Sequence, residues 1–203
     1  MSPVRPDLVD CWVFRVPDET ASVSQSGAAP TAAAQTAAGP AATRDAGAGP
    51  DAPPAVEILL IRRAPGRILV GLWQCVSGSV EEGERVALAA IREVTEETGY
   101  APDSMDAFYD LDLVNQFHEP SVDGVMLSAV FAARVRNGLE PVLSLEHTAF
   151  RWLPLEDAWR EVVWPGYRDA IERIRDHLLD PAREIWFRLD PRTGERVAET
   201  PET

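Results

Sequence analysis

Positive charge, cysteine and long apolar runs are all in short supply in this chain of 203 residues. Nineteen Lys and Arg residues face 33 Asp and Glu, a net charge of −14. Nucleic-acid polymers are held chiefly by Lys and Arg on their phosphates, so this balance argues against such a polymer as the main partner. A small polyphosphate is a different matter, because metal ions can lie between it and an acidic surface. The two cysteines, Cys11 and Cys75, each sit in an apolar, strand-like run, which favours buried free thiols over a disulfide. No apolar run approaches the length of a membrane span, and the opening MSPVRPDLVD has no hydrophobic signal core. The expectation is a cytoplasmic protein without a membrane partner.

An apolar content of 45% is enough for one good core, and one domain over residues 1–180 is the natural count. Leu8 to Val16 reads as a strand ended by Pro17. Residues 18–55 then turn to Ala, Gly, Pro, Ser and Thr, whose repeated breakers leave no run long enough to nucleate a helix. This stretch is expected to be a disordered surface insertion. Order resumes with the apolar run Val56 to Ile61, a second strand beside the first, and Gly71 to Ser77 is a third. Ala107 to Val114 and Val125 to Val135 read as strands joined by a loop over 115–124. Pro154 opens a helix to about Val163, Tyr167 to Leu179 forms another, and residues 181–203 read as a polar tail with one short strand.

The informative stretch is Gly78 to Tyr100, GSVEEGERVALAAIREVTEETGY. Ala87, Ala90, Ile91, Val94 and Thr98 share a face at a period near 3.6, so a helix here can lie on a sheet, with Gly99 as its C-cap. Glu93, Glu96 and Glu97 fall at i, i+3 and i+4 and project together beside that face. Like charges at this spacing repel by a few tenths of a kcal/mol per pair, a defect that a divalent cation removes. Hard ions such as Mg²⁺ take oxygen ligands and keep places for water and phosphate.

The order Gly78, Glu84, Arg92-Glu93, Glu96-Glu97, Gly99 resembles the signature of the Nudix hydrolases. Seven fixed residues in order arise by chance roughly once in 10⁶ chains of this length. Tyr100 stands where an aliphatic residue is commoner, and Ser79 where many members have a second glycine. The run Trp73 to Val80 is most similar to the branch containing dihydroneopterin triphosphate and nucleoside triphosphate pyrophosphohydrolases. Glu146 to Leu153 resembles a second run of the same branch, in which the glutamate is a metal ligand or the water-activating base.

The resemblance implies an α/β fold, a Nudix-type α/β/α sandwich with a mixed sheet between helices, over roughly residues 8–180. It implies Mg²⁺-dependent cleavage of a diphosphate in a small polyphosphate, with Mn²⁺ as a substitute ion. Monophosphate and pyrophosphate would be released. The metal set it implies is Glu93, Glu96, Glu97 and Glu146 with the backbone carbonyl of Gly78. Glu93, Glu97 or Glu146 would activate water, and Arg92 would fix a glutamate rotamer. Glu84 is left between ligating a second ion and supporting its loop. Candidates for substrate contact are Arg63, because guanidinium forks match phosphate oxygens, Trp73 as pocket wall, and Phe117, which could stack on a ring. The alternatives are a dinucleoside polyphosphate or oxidised-nucleotide hydrolase, and a non-catalytic nucleotide-sensing module on the same scaffold.

Overall fold

The structure is a computed structural model, and it describes residues 4–17 and 55–197. The expected insertion over 18–55 lies outside the described residues, apart from Ala55, as does the end of the polar tail. The described elements are β1 (Leu8–Arg15), β2 (Glu57–Arg63), β3 (Trp73–Gln74), β4 (Val76–Ser79), α1 (Val86–Thr98), β5 (Met105–Glu119), β6 (Gly124–Val135), β7 (His147–Pro154), α2 (Leu155–Glu161), α3 (Pro165–Arg173), α4 (Pro181–Glu184) and β8 (Arg188–Leu189).

β1 is the spine. It pairs in parallel with β6 from Leu8 to Phe14, and antiparallel with two strands on its other edge. β4 takes Leu8 to Cys11 and β2 takes Phe14 and Arg15. β2 carries β7 along its far edge, while β5 and then β8 extend the sheet beyond β6. The β6 partner makes the sheet mixed, and the expected neighbours β1 and β2 touch at only two pairs. The third strand of the sequence reading is two pieces, because the chain moves at Cys75 from β2's edge to β1's edge.

A strand covered on both faces needs apolar residues in both alternating sets, which is why β1 reads as an almost continuous apolar run. Val9, Cys11 and Val13 pack with Ala90, Ile91 and Val94 of α1. Trp12 and Phe14 pack on the other side with Ala158 of α2 and Ala170, Ile171 and Ile174 of the α3 region. The result is the α/β/α sandwich expected. Cys11 and Cys75 are buried free thiols belonging to the opposite packing layers. Gly99 closes α1 in the left-handed region at φ 74°.

The stretch 115–124 is not the loop expected. β5 runs to Glu119 and pairs with β6 back to Gly124, so it is a hairpin arm with a turn at 120–123. Both faces of the arm meet solvent along much of its length, so the period-2 contrast that marks a half-buried strand is absent there. The second late helix is also modified: α3 ends at Arg173 and continues as a π-helical turn, Ile174–Leu178.

Candidate active site

The chain leaves the sheet at the end of β4, turns through residues 80–85, and returns as α1 across that strand. Gly78 therefore lies under the helix. A Cβ at this position would fall 1.9 Å from the Glu93 carboxyl carbon, so only glycine leaves the space the carboxylate occupies. The backbone N–H of Ser77, one residue earlier, donates to the Glu97 carboxylate.

Arg92 organises the remaining acids. Its Nε and Nη2 each reach a Glu84 oxygen at 3.0 Å, a bidentate pairing. Nη1 donates to Glu93 at 2.8 Å and to Glu96 at 3.3 Å, and Nη2 also donates to the Ser79 carbonyl at 2.9 Å. One guanidinium thus ties the loop to the helix. Glu84 is held by Arg92 and by the N–H of Glu81.

Glu146 reaches this group through backbone tethers. The last carbonyls of α1 have no partner within the helix. Ser144 N–H donates to the Glu97 carbonyl and Val142 N–H to that of Thr98, which draws the segment before β7 onto the helix end. Ala64 N–H fixes the Glu146 carbonyl at 2.8 Å. The Glu146 carboxylate is close enough for its charge to raise the pKa of Glu93 and Glu97, and it pairs with Arg67 at 2.5 Å.

Electrostatically the site is over-supplied with negative charge. Glu97, 5% exposed, has its pKa pushed up to about 8, first by burial and then by the charges of Glu93 and Glu146. Glu93 is raised as well, chiefly by burial, with Arg92 opposing. His147, which points away into the protein, is pushed down to about 4 by burial and by Arg63. Glu97 Oε2 is buried with no hydrogen-bond partner.

That orphaned oxygen and the space over Gly78 fit a hard cation. Among the described residues, no three Asp, Glu, His or Cys side chains already converge as a metal cage. Glu93 and Glu96 turn to Arg92, and Glu146 turns to Arg67.

Arg63, at the end of β2, donates to the Ile68 carbonyl at 2.7 Å and to Gln74 at 3.3 Å, and its charge lowers the pKa of Glu97. Trp73 packs against the α2–α3 side of the core and holds Arg151 over its ring at 4.2 Å. Phe117 is on the hairpin arm, 42% exposed. Sequence reasoning missed the partnership of Arg67 with Glu146, which joins loops with no local pattern. Asp10, a charge inside the apolar run LVDCWVF, is buried on β1.

The fold is a mixed sheet sandwiched by helices, with a carboxylate cluster where the loop over 80–85 joins α1. The NUDIX domain model matches residues 48–174, more than half of the chain, and the chain belongs to that family. It is 34% identical over 122 residues to an octanoyltransferase of Myxococcus xanthus, a match covering 59% of this chain and spanning only 32% of that protein. It is 30% identical over 145 residues to an RNA pyrophosphohydrolase of Roseobacter denitrificans, covering 61% of this chain and 89% of that one. Among solved structures, an Ap4A hydrolase from C. elegans shares the fold at a TM-score of 0.56 and 16% identity, covering 84% of this chain and 96% of the other.

Proposed function

We propose that the chain carries one Nudix domain over residues 1–180 that hydrolyses a diphosphate linkage in a nucleoside triphosphate or a dihydroneopterin triphosphate-like substrate. Monophosphate and pyrophosphate are the products. The observation that carries the reading is the buried, unpartnered Glu97 carboxylate oxygen among Glu93, Glu96 and Glu146. A fold alone would not need that arrangement. Leaving a buried carboxyl oxygen without a hydrogen bond costs about 1–3 kcal/mol, and a sensing module has no use for a water-activating set of acids.

Glu93, Glu96, Glu97 and Glu146, with the Gly78 carbonyl, would hold Mg²⁺ or Mn²⁺. Such ions, when bound, neutralise phosphate oxygens and lower the pKa of bound water. Arg92 keeps Glu93 and Glu96 aimed, as the partner that fixes a ligand's rotamer. Glu93, Glu97 or Glu146 would take the proton from attacking water. Arg63 and Arg67 stand on the same rim, where their guanidinium groups can meet phosphate oxygens. Trp73 walls the approach beside Arg151, and Phe117 offers an exposed ring to the substrate's heterocycle.

The Roseobacter relative, an RNA pyrophosphohydrolase, favours one rival, an RNA substrate. A net charge of −14 weighs against a polymer. The two buried thiols suit a reducing compartment, and no helix among the described residues is long and apolar enough to cross a membrane. Cytoplasmic action is part of the proposal.

The test is Mg²⁺-dependent pyrophosphate release from a nucleoside triphosphate by wild type and Glu97→Gln. A loss of about 10²–10⁴-fold in kcat is expected for removal of a positioned acid–base group. Near wild-type turnover with unchanged Mg²⁺ affinity by calorimetry would refute the assignment.

A further inference from the structure

Arg67 and Glu146 meet across two loops, one between β2 and β3 and the other just before β7. The backbone of Glu146 is fixed on both sides. Its N–H donates to Ser144 Oγ at 3.3 Å, and its carbonyl accepts from the Ala64 N–H at 2.8 Å. Its carboxylate, 43% exposed, is free to turn. The charge of that carboxylate acts on both Glu93 and Glu97, yet the group it touches is Arg67, at 2.5 Å. Of the two guanidinium groups on this rim, Arg63 is held by the Ile68 carbonyl at 2.7 Å and by Gln74 at 3.3 Å. Arg67 has one side-chain partner among the described residues, and it is Glu146.

Little besides that carboxylate keeps Arg67 in place. The loop is tied at its base, where the Arg63 N–H meets the Leu72 carbonyl and the Gly71 N–H meets the Arg63 carbonyl. Residues 65–70 beyond that base are all exposed, including the apolar tip Ile68-Leu69-Val70, so packing does not resist a swing of the side chain. The Arg67 side chain is itself 48% exposed. An ion pair this open to water changes an equilibrium constant by no more than about fivefold. A divalent ion shared by several carboxylates is a stronger partner for Glu146 than that.

We infer that Arg67 competes with the cation for Glu146 and, once displaced from it, takes a phosphate oxygen of the substrate. A guanidinium and a divalent cation on one carboxylate repel each other, so binding of one loosens the other. Displacement leaves Arg67 with N–H donors and no acceptor, on a rim where a polyphosphate brings anionic oxygens. Arg67 thus changes partners from carboxylate to phosphate, and its charge stays paired throughout. Cation and phosphate then favour each other's binding through one side chain, by the same factor in both directions. This inference rests on the hydrolase reading above and adds the means by which its two ligands bind in concert.

The test is calorimetric and needs no turnover. Mn²⁺ is titrated into metal-free wild type, Arg67→Gln, Glu146→Gln and the double variant. Arg67→Gln should bind Mn²⁺ about two- to fivefold more tightly than wild type, the worth of an exposed ion pair. With Glu146 replaced, the same substitution should change the affinity by less than about 1.5-fold, since the pair is already broken. Inorganic pyrophosphate is then titrated into wild type and Arg67→Gln saturated with Mg²⁺. Here Arg67→Gln should bind about tenfold more weakly, because a hydrogen bond to a charged group is lost. Opposite signs for the two ligands separate an exchange of partners from damage to the loop, which would weaken both. Equal Mn²⁺ affinity in wild type and Arg67→Gln overturns the inference. So does a tightening that persists undiminished beside Glu146→Gln, or an unchanged affinity for pyrophosphate. Mn²⁺ uptake without turnover of any nucleoside triphosphate would sink the hydrolase reading alone, with the exchange still decided by these ratios. No Mn²⁺ uptake by wild type would overturn both.

Discussion

Glycine at position 78 does its work through what it leaves empty. The space a methyl group would take is filled by the Glu93 carboxyl, only 1.9 Å from the Cβ position. Alanine would fit the strand, since β4 is ordinary extended backbone here, and the Glu93 side chain can swing away. Gly78→Ala is therefore expected to fold with a melting temperature within a few degrees of wild type. Its kcat should still fall about 100-fold, because a misplacement of 1 Å in a reacting group costs about that much. Thermal melts and steady-state rates on the same preparation check both halves, and full activity would mean that Glu93 need not lie over this strand. Asp10 illustrates the complementary case at the same scale. One charged residue in a strand buried on both faces requires polar partners without saying which ones. Only the folded chain brings Asn115 from β5 to its side.

Among the elements, α1 was the most legible, since helical period, C-cap glycine and acidic spacing all lie within one local segment. The β5–β6 arm was misread because Asn115 to Gly124 is polar and turn-rich, and pairing with a neighbouring strand leaves no trace in an element exposed on both faces. The split of β3 from β4 was hidden for a related reason, since a change of partner at Cys75 alters no local pattern. Glu146 was placed from a resemblance. The physical reason it arrives is that α1's final carbonyls capture the N–H groups of Val142 and Ser144. Arg92 is what makes loop and helix one unit, through a fork onto Glu84 and a third nitrogen shared by Glu93 and Glu96. Lysine keeps the charge and loses the fork. Arg92→Lys is expected to lower kcat/KM about 10–100-fold, as mutations of groups that orient metal ligands do. Cleavage in the 80–85 loop by a limiting protease should quicken in the same variant. Unchanged values of both would show that Glu84 and the loop hold their place without the bidentate contact.

For the molecule as a whole, the sandwich followed from two apolar sets on β1 and helices able to cover them, whereas strand order did not. What the completed fold adds is an electrostatic balance with a measurable sign. Glu97 has a folded pKa of about 8 against an ordinary value of 4.5. Between those values the folded state keeps a proton that the unfolded chain releases, so stability falls as pH rises. His147 acts in the opposite sense, with a folded pKa of about 4 against 6.5. Its contribution is complete above pH 6.5 and is lost as pH falls toward 4. The alkaline side of pH 6.5 therefore reports Glu97 free of His147. In metal-free buffer, urea unfolding of wild type should lose stability with a slope of about 1.3 kcal/mol per pH unit near pH 6.5, falling to about half that at pH 8. The loss should level off beyond pH 8, where both states have released the proton. Glu97→Gln has no proton to release and should show a flat profile over the same range. Equal slopes in the two proteins would mean that Glu97 titrates near its ordinary value, and the negative charge said to await a cation would already be solvated.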